Sequence, residues 1–349
     1  MPFDDRTYER QRRQFIAVPI PSLATILIGL MLRSPIFFLS EAKWAQRLVK
    51  DWSLARRIAR RFVAGESLPN ALEVARILDG RGLVTTLAHL GEHVSTKQEA
   101  DRSRDQILKL IQAIGASNLP SNISVKLTQL GLSLGYDLCM SNLLDVAREA
   151  AAQEVYIRID MEESAYIDQT LSLQHVLAAK GLLKVGLVFQ SALFRSENDV
   201  RSAVEAGTSV RIVKGAYRES PAIAHQSRSD VSESFDKLSS VALGAARDQG
   251  AIPISSDGRT PPLAAIASHD SNRIEFAENY AREIGVSRSA LEFQFLYGIR
   301  SELQESLRQR RYPVRVYVPY GSQWYPYLMR RLAERPANLW LVFSNLIRR

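Results

Sequence analysis

The chain has 349 residues, a single cysteine and a formal net charge of +8, and 46% of its residues are hydrophobic. This length allows one large domain or two ordinary ones with a packed core. The lone Cys139 excludes an internal disulfide and a cysteine-rich metal site, and it fits a reducing, cytoplasmic compartment.

The positive charge is concentrated at the two ends of the chain. Residues 1–66 hold 12 basic and 6 acidic residues, and residues 300–349 hold 10 basic and 3 acidic residues. A nucleic-acid-binding protein typically carries a basic stripe among aromatic residues or a known binding module, and neither is evident. We therefore expect no nucleic-acid partner. The basic ends fit an anionic substrate or an anionic membrane surface.

An apolar segment near the amino terminus, residues 15–32, follows a group of arginines. Pro19 and Pro21 interrupt its start, so only residues 23–32 form an uninterrupted apolar helix, which is too short to span a membrane. We expect a buried or interfacial helix, with peripheral contact at the inner face of the membrane. A signal anchor is the alternative.

Residues 1–80 read as helical, and the rest of the chain alternates between strands and helices. The first part predicts helices at 40–48, 52–63 and 68–78. We therefore divide the chain into an N-terminal helical region, residues 1–80, and a second domain, residues 81–349.

The second domain contains eight short apolar runs separated by helical stretches. Such alternation predicts a parallel sheet covered by helices on both faces. Eight units predict a closed (β/α)8 TIM-type barrel, with an open doubly wound sheet as the alternative. The predicted strands are 83–87, 123–127, 156–160, 185–190, 209–213, 264–268, 292–296 and 315–318, and predicted helices include 141–153, 165–179, 197–206, 233–249, 274–284 and 299–310.

Polar and charged residues lie in or directly after several predicted strands. In this fold the active site lies where the strands end, so these residues are candidates for one shared site. Charges inside apolar strands are costly unless they are paired or bind a ligand. The candidates are Lys126, Asp160, Gln190, Arg211, Lys214, Ser268, His269 and Asp270.

The chain lacks the common nucleotide-binding and metal motifs. It has no Gly-x-Gly-x-x-Gly after a strand, no Walker loop, no His-Glu-x-x-His and no Gly-x-Ser-x-Gly. His89 and Glu92, three residues apart, are a weak metal signal, and we predict no metal site. These absences disfavour hydrolysis and favour a bound organic cofactor.

The last predicted strand runs into a Pro/Gly turn and a helix that carries the adjacent Arg330 and Arg331. Tyr327 lies three residues before Arg330, so the two side chains share a helix face. Two guanidinium groups at the mouth of a strand–turn–helix unit suit a planar carboxylate. A solvated basic helix face is the alternative.

Four segments resemble the proline dehydrogenase family. They are Val-Arg-Ile-Val-Lys-Gly-Ala-Tyr at 210–217, Tyr-Leu-Met-Arg-Arg-Leu-Ala-Glu at 327–334, Glu-Phe-Gln-Phe-Leu-Tyr-Gly at 292–298 and Ile-Arg-Ile-Asp-Met-Glu at 157–162. The resemblance covers roughly residues 55–345. It implies an FAD-dependent barrel that oxidises L-proline to Δ1-pyrroline-5-carboxylate by hydride transfer to flavin N5, the first step of proline catabolism. It also implies that the electrons pass on to an acceptor such as a membrane quinone.

The resemblance also implies roles for particular residues. Lys126, Arg330 and Arg331 look like the cations that clamp the substrate carboxylate, and Asp160 looks like the acidic residue that orients them. Arg211 resembles the arginine near the reactive flavin nitrogen, where it stabilises reduced flavin. The residues that look like the walls of the substrate ring are Tyr217, Leu296, Tyr317 and Tyr327. Those that resemble further cofactor contacts are Met161, Gln190, Lys214, Gly215, Ala216, Ser268 and His269.

Three alternative functions remain open from the sequence. A hydroxyproline dehydrogenase is the first, although Tyr317 matches the position that crowds the far edge of the ring and so favours proline. The second is a flavin-free lyase or aldolase on the same barrel, with Lys126 or Lys214 as the Schiff-base lysine. The third is a non-enzymatic binder of membrane surfaces through the basic ends.

Overall fold

A computed structural model describes residues 59–91 and 94–334 of the protein. Residues 56–324 form one compact unit, and the described part of a second unit is residues 325–334. The predicted helix at 40–48, most of that at 52–63 and the apolar segment 15–32 lie outside the described residues. In the described part, no helix is long and apolar enough to cross a membrane.

Eight parallel strands form a closed barrel in the order in which they occur in the chain. The last strand pairs with the first over six residue pairs, from Val84 with Arg315 to His89 with Tyr320, which closes the barrel. The predicted (β/α)8 fold is therefore confirmed, and the open sheet is excluded. The strands are β1 Val84–His89, β2 Ser121–Val125, β3 Ile157–Ile159, β4 Val185–Gln190, β5 Val210–Val213, β6 Ala264–Ala267, β7 Leu291–Leu296 and β8 Val314–Tyr320.

Helices alternate with these strands, and within the described residues a helix also precedes the first strand. They are α1 Leu68–Asp79, α2 Lys97–Gly115, α3 Tyr136–Ala152, α4 Ile167–Ala179, α5 Ser196–Glu205, α6 Arg228–Asp248, α7 Ser271–Glu283, α8 Ser301–Gln309 and α9 Trp324–Glu334. Short 3-10 turns, Ser164–Tyr166 and Arg288–Ala290, precede α4 and β7.

Local capping explains where several helices begin. The side chains of Thr96, Ser227 and Asp270 each accept a hydrogen bond from a backbone N–H in the first turn of α2, α6 and α7. The cap at Ser227 starts α6 five residues before its predicted start. Arg300 has a left-handed backbone (φ 54°), and α8 therefore begins after it rather than at residue 299.

The hydrophobic core lies between the outer surface of the barrel and the helices. Alternate strand residues, such as Ile123 and Val125 of β2 or Ile157 and Ile159 of β3, belong to this core. The helix α1 packs on β1 and β8 and contributes three buried residues. The last predicted helix of the N-terminal region is thus built into the barrel unit, while the proposed boundary at residue 80 stays a prediction.

The inward faces of the strands are polar to an unusual degree. The strands contain three arginines, Arg158, Arg211 and Arg315, all at most 5% exposed, but one acidic residue, Glu292. Arg158 donates to the backbone oxygens of Leu187 and Ser209. Burial lowers the pKa of Arg158 to about 10. The interior of the barrel therefore carries excess positive charge.

Gly186 of β4 makes room for the guanidinium group of Arg158. A Cβ atom at this position would overlap the hydroxyl of Tyr156 and would lie 2.5 Å from Nη1 of Arg158 and 2.6 Å from the backbone oxygen of Ser209. A backbone oxygen in a central strand cannot move aside cheaply. The glycine is therefore required by the Ser209 backbone together with the side chains of Tyr156 and Arg158.

We predict opposite effects for two glycine substitutions. Gly186→Ala should lower the free energy of unfolding by about 3 kcal/mol through overpacking. Gly244→Ala, in α6 with no atom within 4 Å of the added Cβ, should raise it by about 0.5–1 kcal/mol through helix propensity. Urea denaturation of both variants measures the difference. A neutral Gly186→Ala would show that the space beside Gly186 is not filled by Tyr156, Arg158 and Ser209.

Candidate active site

The strand ends bring the charged candidate residues to one end of the barrel. Lys126 follows β2 and Asp160 follows β3, while Arg211 lies in β5 and Tyr317 in β8. Because all eight strands run in the same direction, their carboxyl ends lie together. The sequence predicted that the charged residues at the strand ends lie together. Lys126, Asp160, Arg211 and Tyr317 do so at the carboxyl end of the barrel.

Asp160 lies at the centre of this cluster and accepts four hydrogen bonds. Its Oδ1 accepts from Ser124 Oγ at 2.6 Å and from Arg211 Nη1 at 2.9 Å. Its Oδ2 accepts from the hydroxyl of Tyr317 at 2.8 Å and from Lys126 Nζ at 3.2 Å. The carboxylate, which follows β3, thus binds side chains from β2, β5 and β8, and both of its oxygens are held in place.

The surroundings of Asp160 favour its ionised form. Burial alone raises the pKa of this carboxyl, but the positive charges of Lys126 and Arg211 and the hydrogen bonds from Ser124 and Tyr317 outweigh burial. The pKa of Asp160 therefore lies below its ordinary value. Burial and the neighbouring carboxylate raise the pKa of Tyr317, so its hydroxyl remains a hydrogen-bond donor.

Arg211 is fixed by two of its three guanidinium nitrogens. Nη1 donates to Asp160, and Nε donates to Oε1 of Gln294 at 2.5 Å. Its guanidinium carbon also lies 5.5 Å from the centre of the Tyr317 ring. Within the described residues, Nη2 makes no hydrogen bond to protein, so this donor remains available to a ligand.

The side-chain amide of Gln190, at the end of β4, is oriented by a hydrogen bond to the backbone. Its Nε2 donates to the backbone oxygen of Glu162 at 2.8 Å, so its Oε1 is the group left to accept. Gly215 lies beside it with φ 111°, and a Cβ there would lie 3.0 Å from that Oε1. Only glycine adopts this backbone without strain. The glycine therefore leaves room for the side chain of Gln190 beside the turn that follows β5.

A second polar cluster lies beyond the ends of β5 and β6. Lys214 Nζ donates to Asp270 Oδ2 at 2.8 Å and to Ser232 Oγ at 3.1 Å. Arg273 Nη1 lies 2.8 Å from Asp236 Oδ2. The buried Nε of Arg273 has no hydrogen-bond partner among the described residues. Oδ1 of Asp236 is likewise buried without a hydrogen-bond partner there, so this cluster holds one unsatisfied donor and one unsatisfied acceptor, a pair that an ordered water can satisfy.

The remaining predicted residues lie in the turns at the same end of the strands. His269 Nε2 accepts from the backbone N–H of Leu296 at 3.1 Å, which ties the turn after β6 to the end of β7. Ser268 accepts from the backbone N–H of Asp270. The others are Met161, buried after β3, and Ala216 and Tyr217, in the turn after β5.

The predicted final helix is confirmed as α9, which includes Tyr327, Arg330 and Arg331. Within this helix, the guanidinium carbon of Arg331 lies 5.4 Å from the centre of the Tyr327 ring. Residues 325–334 of this helix belong to the second compact unit. Convergence of the arginine pair with Lys126 stays a prediction.

The sequence-based reading missed two residues of the cluster. Ser124 of β2 lies two residues before Lys126, which follows that strand, and Gln294 lies two residues before Leu296 in β7. Residues two apart point to the same side, so Ser124 and Gln294 face inward like the predicted site residues. The signal in the sequence is a polar residue two positions before a predicted site residue, because side chains two apart in a strand face the same side.

No group of three or more potential metal ligands occurs among the residues of known placement. His89 was one of the two residues of the weak metal signal in the sequence. Its Nδ1 lies 3.0 Å from Nε2 of Gln129. Since the amide nitrogen can only donate, this contact assigns the ring proton of neutral His89 to Nε2. Burial lowers the pKa of His89, which favours that neutral form.

Comparison with known proteins agrees with the resemblance. The sequence model described as "Proline dehydrogenase" matches residues 71–342. Proline dehydrogenase 1 of Bacillus subtilis (strain 168) is 35% identical over 319 residues, which is 91% of this chain and 100% of that protein. Proline dehydrogenase of Deinococcus radiodurans is 31% identical over 328 residues, which is 92% of this chain and 100% of that protein.

A solved structure shares the fold. Proline utilization A from Bdellovibrio bacteriovorus, inactivated by N-propargylglycine, superposes with a TM-score of 0.72 at 21% identity. The match covers 88% of this chain and 37% of that chain.

These findings define an oxidoreductase class built on a (β/α)8 barrel that acts on CH–NH groups. The chain belongs to the proline dehydrogenase family. Enzymes of this family catalyse the first step of proline catabolism and are generally flavoproteins.

The lowered pKa of Asp160 yields a prediction about acid stability. A carboxylate of depressed pKa stabilises the fold fully above its unfolded pKa of about 3.9, and this contribution is lost as the pH falls through the folded value. Asp160→Asn should therefore lower the free energy of unfolding by about 3 kcal/mol at pH 7. It should also make stability depend less on pH below about pH 5.

Denaturant titrations of the wild type and the variant between neutral and acidic pH measure this effect. Asp168→Asn is the matched control, because the side chain of Asp168 is 83% exposed. Parallel stability–pH curves for Asp160→Asn and the wild type would contradict the assignment.

Proposed function

We propose that this protein oxidises L-proline to Δ1-pyrroline-5-carboxylate with FAD as its cofactor. The single observation that carries the proposal is the pair of cations, Lys126 and Arg211, held on Asp160 at the carboxyl end of the barrel. Two cations on one carboxylate leave a net positive charge, which suits an amino-acid carboxylate in a chain of this family.

Lys126 is the proposed barrel contact for the substrate carboxylate. Its Nζ lies 3.2 Å from Oδ2 of Asp160, which holds the side chain in place. Because the side chain is still 19% exposed, a ligand can reach it. A lysine has three donors, so Nζ can bind a second carboxylate while it keeps Asp160. Arg330 and Arg331 of α9 are proposed to complete the clamp. The excess of arginines in the barrel interior adds to the attraction for an anion.

The same charges prepare the substrate nitrogen. Oxidation of the ring C–N bond requires the neutral amine, because the lone pair forms the new double bond. Nearby cations disfavour a protonated amine and so lower its pKa. Asp160 keeps Lys126 and Arg211 in fixed positions. We propose this orienting role, rather than proton transfer, because its low pKa makes it a weak base.

The residues at the ends of β4 and β5 fit the proposed cofactor. Gly215 leaves room for Gln190, which presents an oriented acceptor, and Nη2 of Arg211 is an available donor. FAD, when bound, accepts two electrons as hydride from the substrate carbon. Arg211 would stabilise the negative charge that reduction creates. Lys214, which is partly exposed beyond the end of β5, would hold its phosphates.

The remaining predicted residues are assigned within this proposal. Met161, Ala216, Ser268 and His269 are proposed as further cofactor contacts. Tyr217, Leu296 and Tyr327 are proposed as walls around the pyrrolidine ring.

Tyr317 supports proline over hydroxyproline as the substrate. Its hydroxyl donates to Asp160 at 2.8 Å, and its ring lies against Arg211. These two contacts hold the ring in one position, so it cannot turn away from a bulkier substrate. A hydroxylated ring would meet this fixed side chain.

We further propose a membrane quinone as the electron acceptor and peripheral contact with the inner face of the membrane. The support is the sequence of residues 1–66, in which a basic cluster precedes an apolar segment. Reduction of a ubiquinone analogue by the proline-reduced protein, with and without anionic vesicles, tests this. Equal rates without vesicles, and no flotation with them, would contradict the membrane contact.

The proposed reaction predicts a change of colour. The purified protein, reconstituted with FAD where necessary, should show flavin absorbance that bleaches on addition of L-proline, with a higher kcat/KM than for 4-hydroxyproline. A protein that binds no flavin would refute the proposal. Borohydride trapping of a substrate on Lys126 would support the lyase instead.

A lysine substitution tests the carboxylate contact. Lys126→Met should raise the KM for L-proline about 100-fold, with a smaller loss in kcat, because a buried charge-assisted contact is worth about 2–3 kcal/mol. Lys237→Met is the control, since that side chain is 62% exposed on α6. Steady-state kinetics at equal flavin content provides the measurement. An unchanged KM would remove Lys126 from the substrate site.

A further inference from the structure

Two polar residues of β7, Glu292 and Gln294, point into the barrel. They do not belong to the hydrophobic core, so apolar packing does not account for their burial. Glu292 is fully buried and Gln294 is 5% exposed. They are two residues apart in a strand and so share its inward face. The residues between and around them, such as Phe293 and Phe295, belong to the outer core.

The amide of Gln294 bridges two charged groups of opposite sign. Its Oε1 accepts from Nε of Arg211 at 2.5 Å, and its Nε2 donates to Oε1 of Glu292 at 2.5 Å. If the amide were flipped, its NH2 group would face the Arg211 donor and its oxygen would face the Glu292 carboxylate. Both contacts would then be repulsive, so the amide has one favourable orientation.

The carboxylate of Glu292 cannot rotate to suit a flipped Gln294 amide, because Arg315 holds it in place. The pair is bidentate, with nitrogen–oxygen distances of 2.9 Å and 3.0 Å. Arg315 is in turn anchored to the backbone oxygens of Thr85 and Gly258, each at 2.8 Å. A rigid series of contacts therefore runs from Arg315, near the amino end of β8, to Arg211.

We infer that Gln294 is a positioning residue, which fixes the guanidinium plane of Arg211 and so tunes how readily the bound cofactor is reduced. The inference rests on the proposed function, in which Arg211 stabilises the reduced cofactor. Gln294 holds Nε and Asp160 holds Nη1, so the plane is defined and Nη2 is directed to one place. Without Gln294, the guanidinium group can rotate about its contact with Asp160.

Gln294→Met removes both hydrogen bonds while keeping the length of the side chain. We expect kcat to fall about tenfold with little change in KM, because the substrate contact of Lys126 is untouched. The equilibrium constant for two-electron reduction of the bound flavin should also fall about tenfold, which corresponds to about 30 mV. A redox titration measures this without substrate turnover.

Gln174→Met is the matched control. Gln174 is also a buried glutamine, but its Nε2 donates to Thr208 in the outer layer of the fold. The Gln174→Met substitution should leave the reduction potential of the bound flavin unchanged. A Gln294→Met potential equal to that of the wild type would overturn the inference, as would equal shifts in both variants, which would indicate a general effect of core damage.

A second variant covers the case in which Gln294→Met fails to fold. The double substitution Glu292→Gln with Arg315→Met replaces the buried ion pair by neutral groups of similar size, a change that proteins often tolerate. It keeps Gln294 but removes the charge that orients its amide. A decrease of about threefold in the same equilibrium constant is expected, and an unchanged constant would overturn the inference.

The wild type separates the two proposals. Failure of wild-type flavin to bleach with L-proline refutes the proposed function, whereas the potentials of the variants are measured without proline and test Gln294. If the wild type binds no flavin, exchange of the Arg211 Nε–H with solvent, followed by NMR, provides the decision. Faster exchange in Gln294→Met than in the wild type supports the positioning role, and equal exchange overturns it.

Discussion

The carboxylate of Asp160 is the point at which four strands of the barrel are tied together. Side chains from β2, β5 and β8 all donate to a group that follows β3. A buried carboxylate is costly unless it is compensated, and here the compensation comes from the groups that are proposed to bind substrate and cofactor. The stability of the site and its chemistry therefore depend on the same charge.

The rest of the barrel interior is also organised around buried charges. Arginines reach across from neighbouring strands and need fixed acceptors, which backbone oxygens, Gln294 and Glu292 provide. The apolar packing that normally fills such a barrel lies instead outside it, against the helices. The interior is therefore organised by directional hydrogen bonds, which specify side-chain orientation more narrowly than apolar packing does. Such rigidity suits a site that must hold a guanidinium group in place.

The alternation of strands and helices was sufficient to predict the barrel. A parallel sheet buried on both faces needs continuous apolar strands, and that pattern is local in the chain. Residues at the strand ends, such as Lys126 and Asp160, could be selected because parallel strands end at the same side. Helix starts were less predictable. The start of α8 depends on the left-handed backbone at Arg300, and that of α6 on the cap at Ser227.

The partners of each polar side chain were not predictable in this way. Ser124 and Gln294 acquire their roles through contacts 36 and 83 residues away along the chain. The requirement for glycine at 186 likewise appears only once the groups that the fold places beside it are known. The sequence by itself determined the order of the elements, the end of the barrel that carries the charges and the family. Only the tertiary structure decided which charges meet, because pairing across a closed barrel depends on strand register and inward direction rather than on neighbours in the chain.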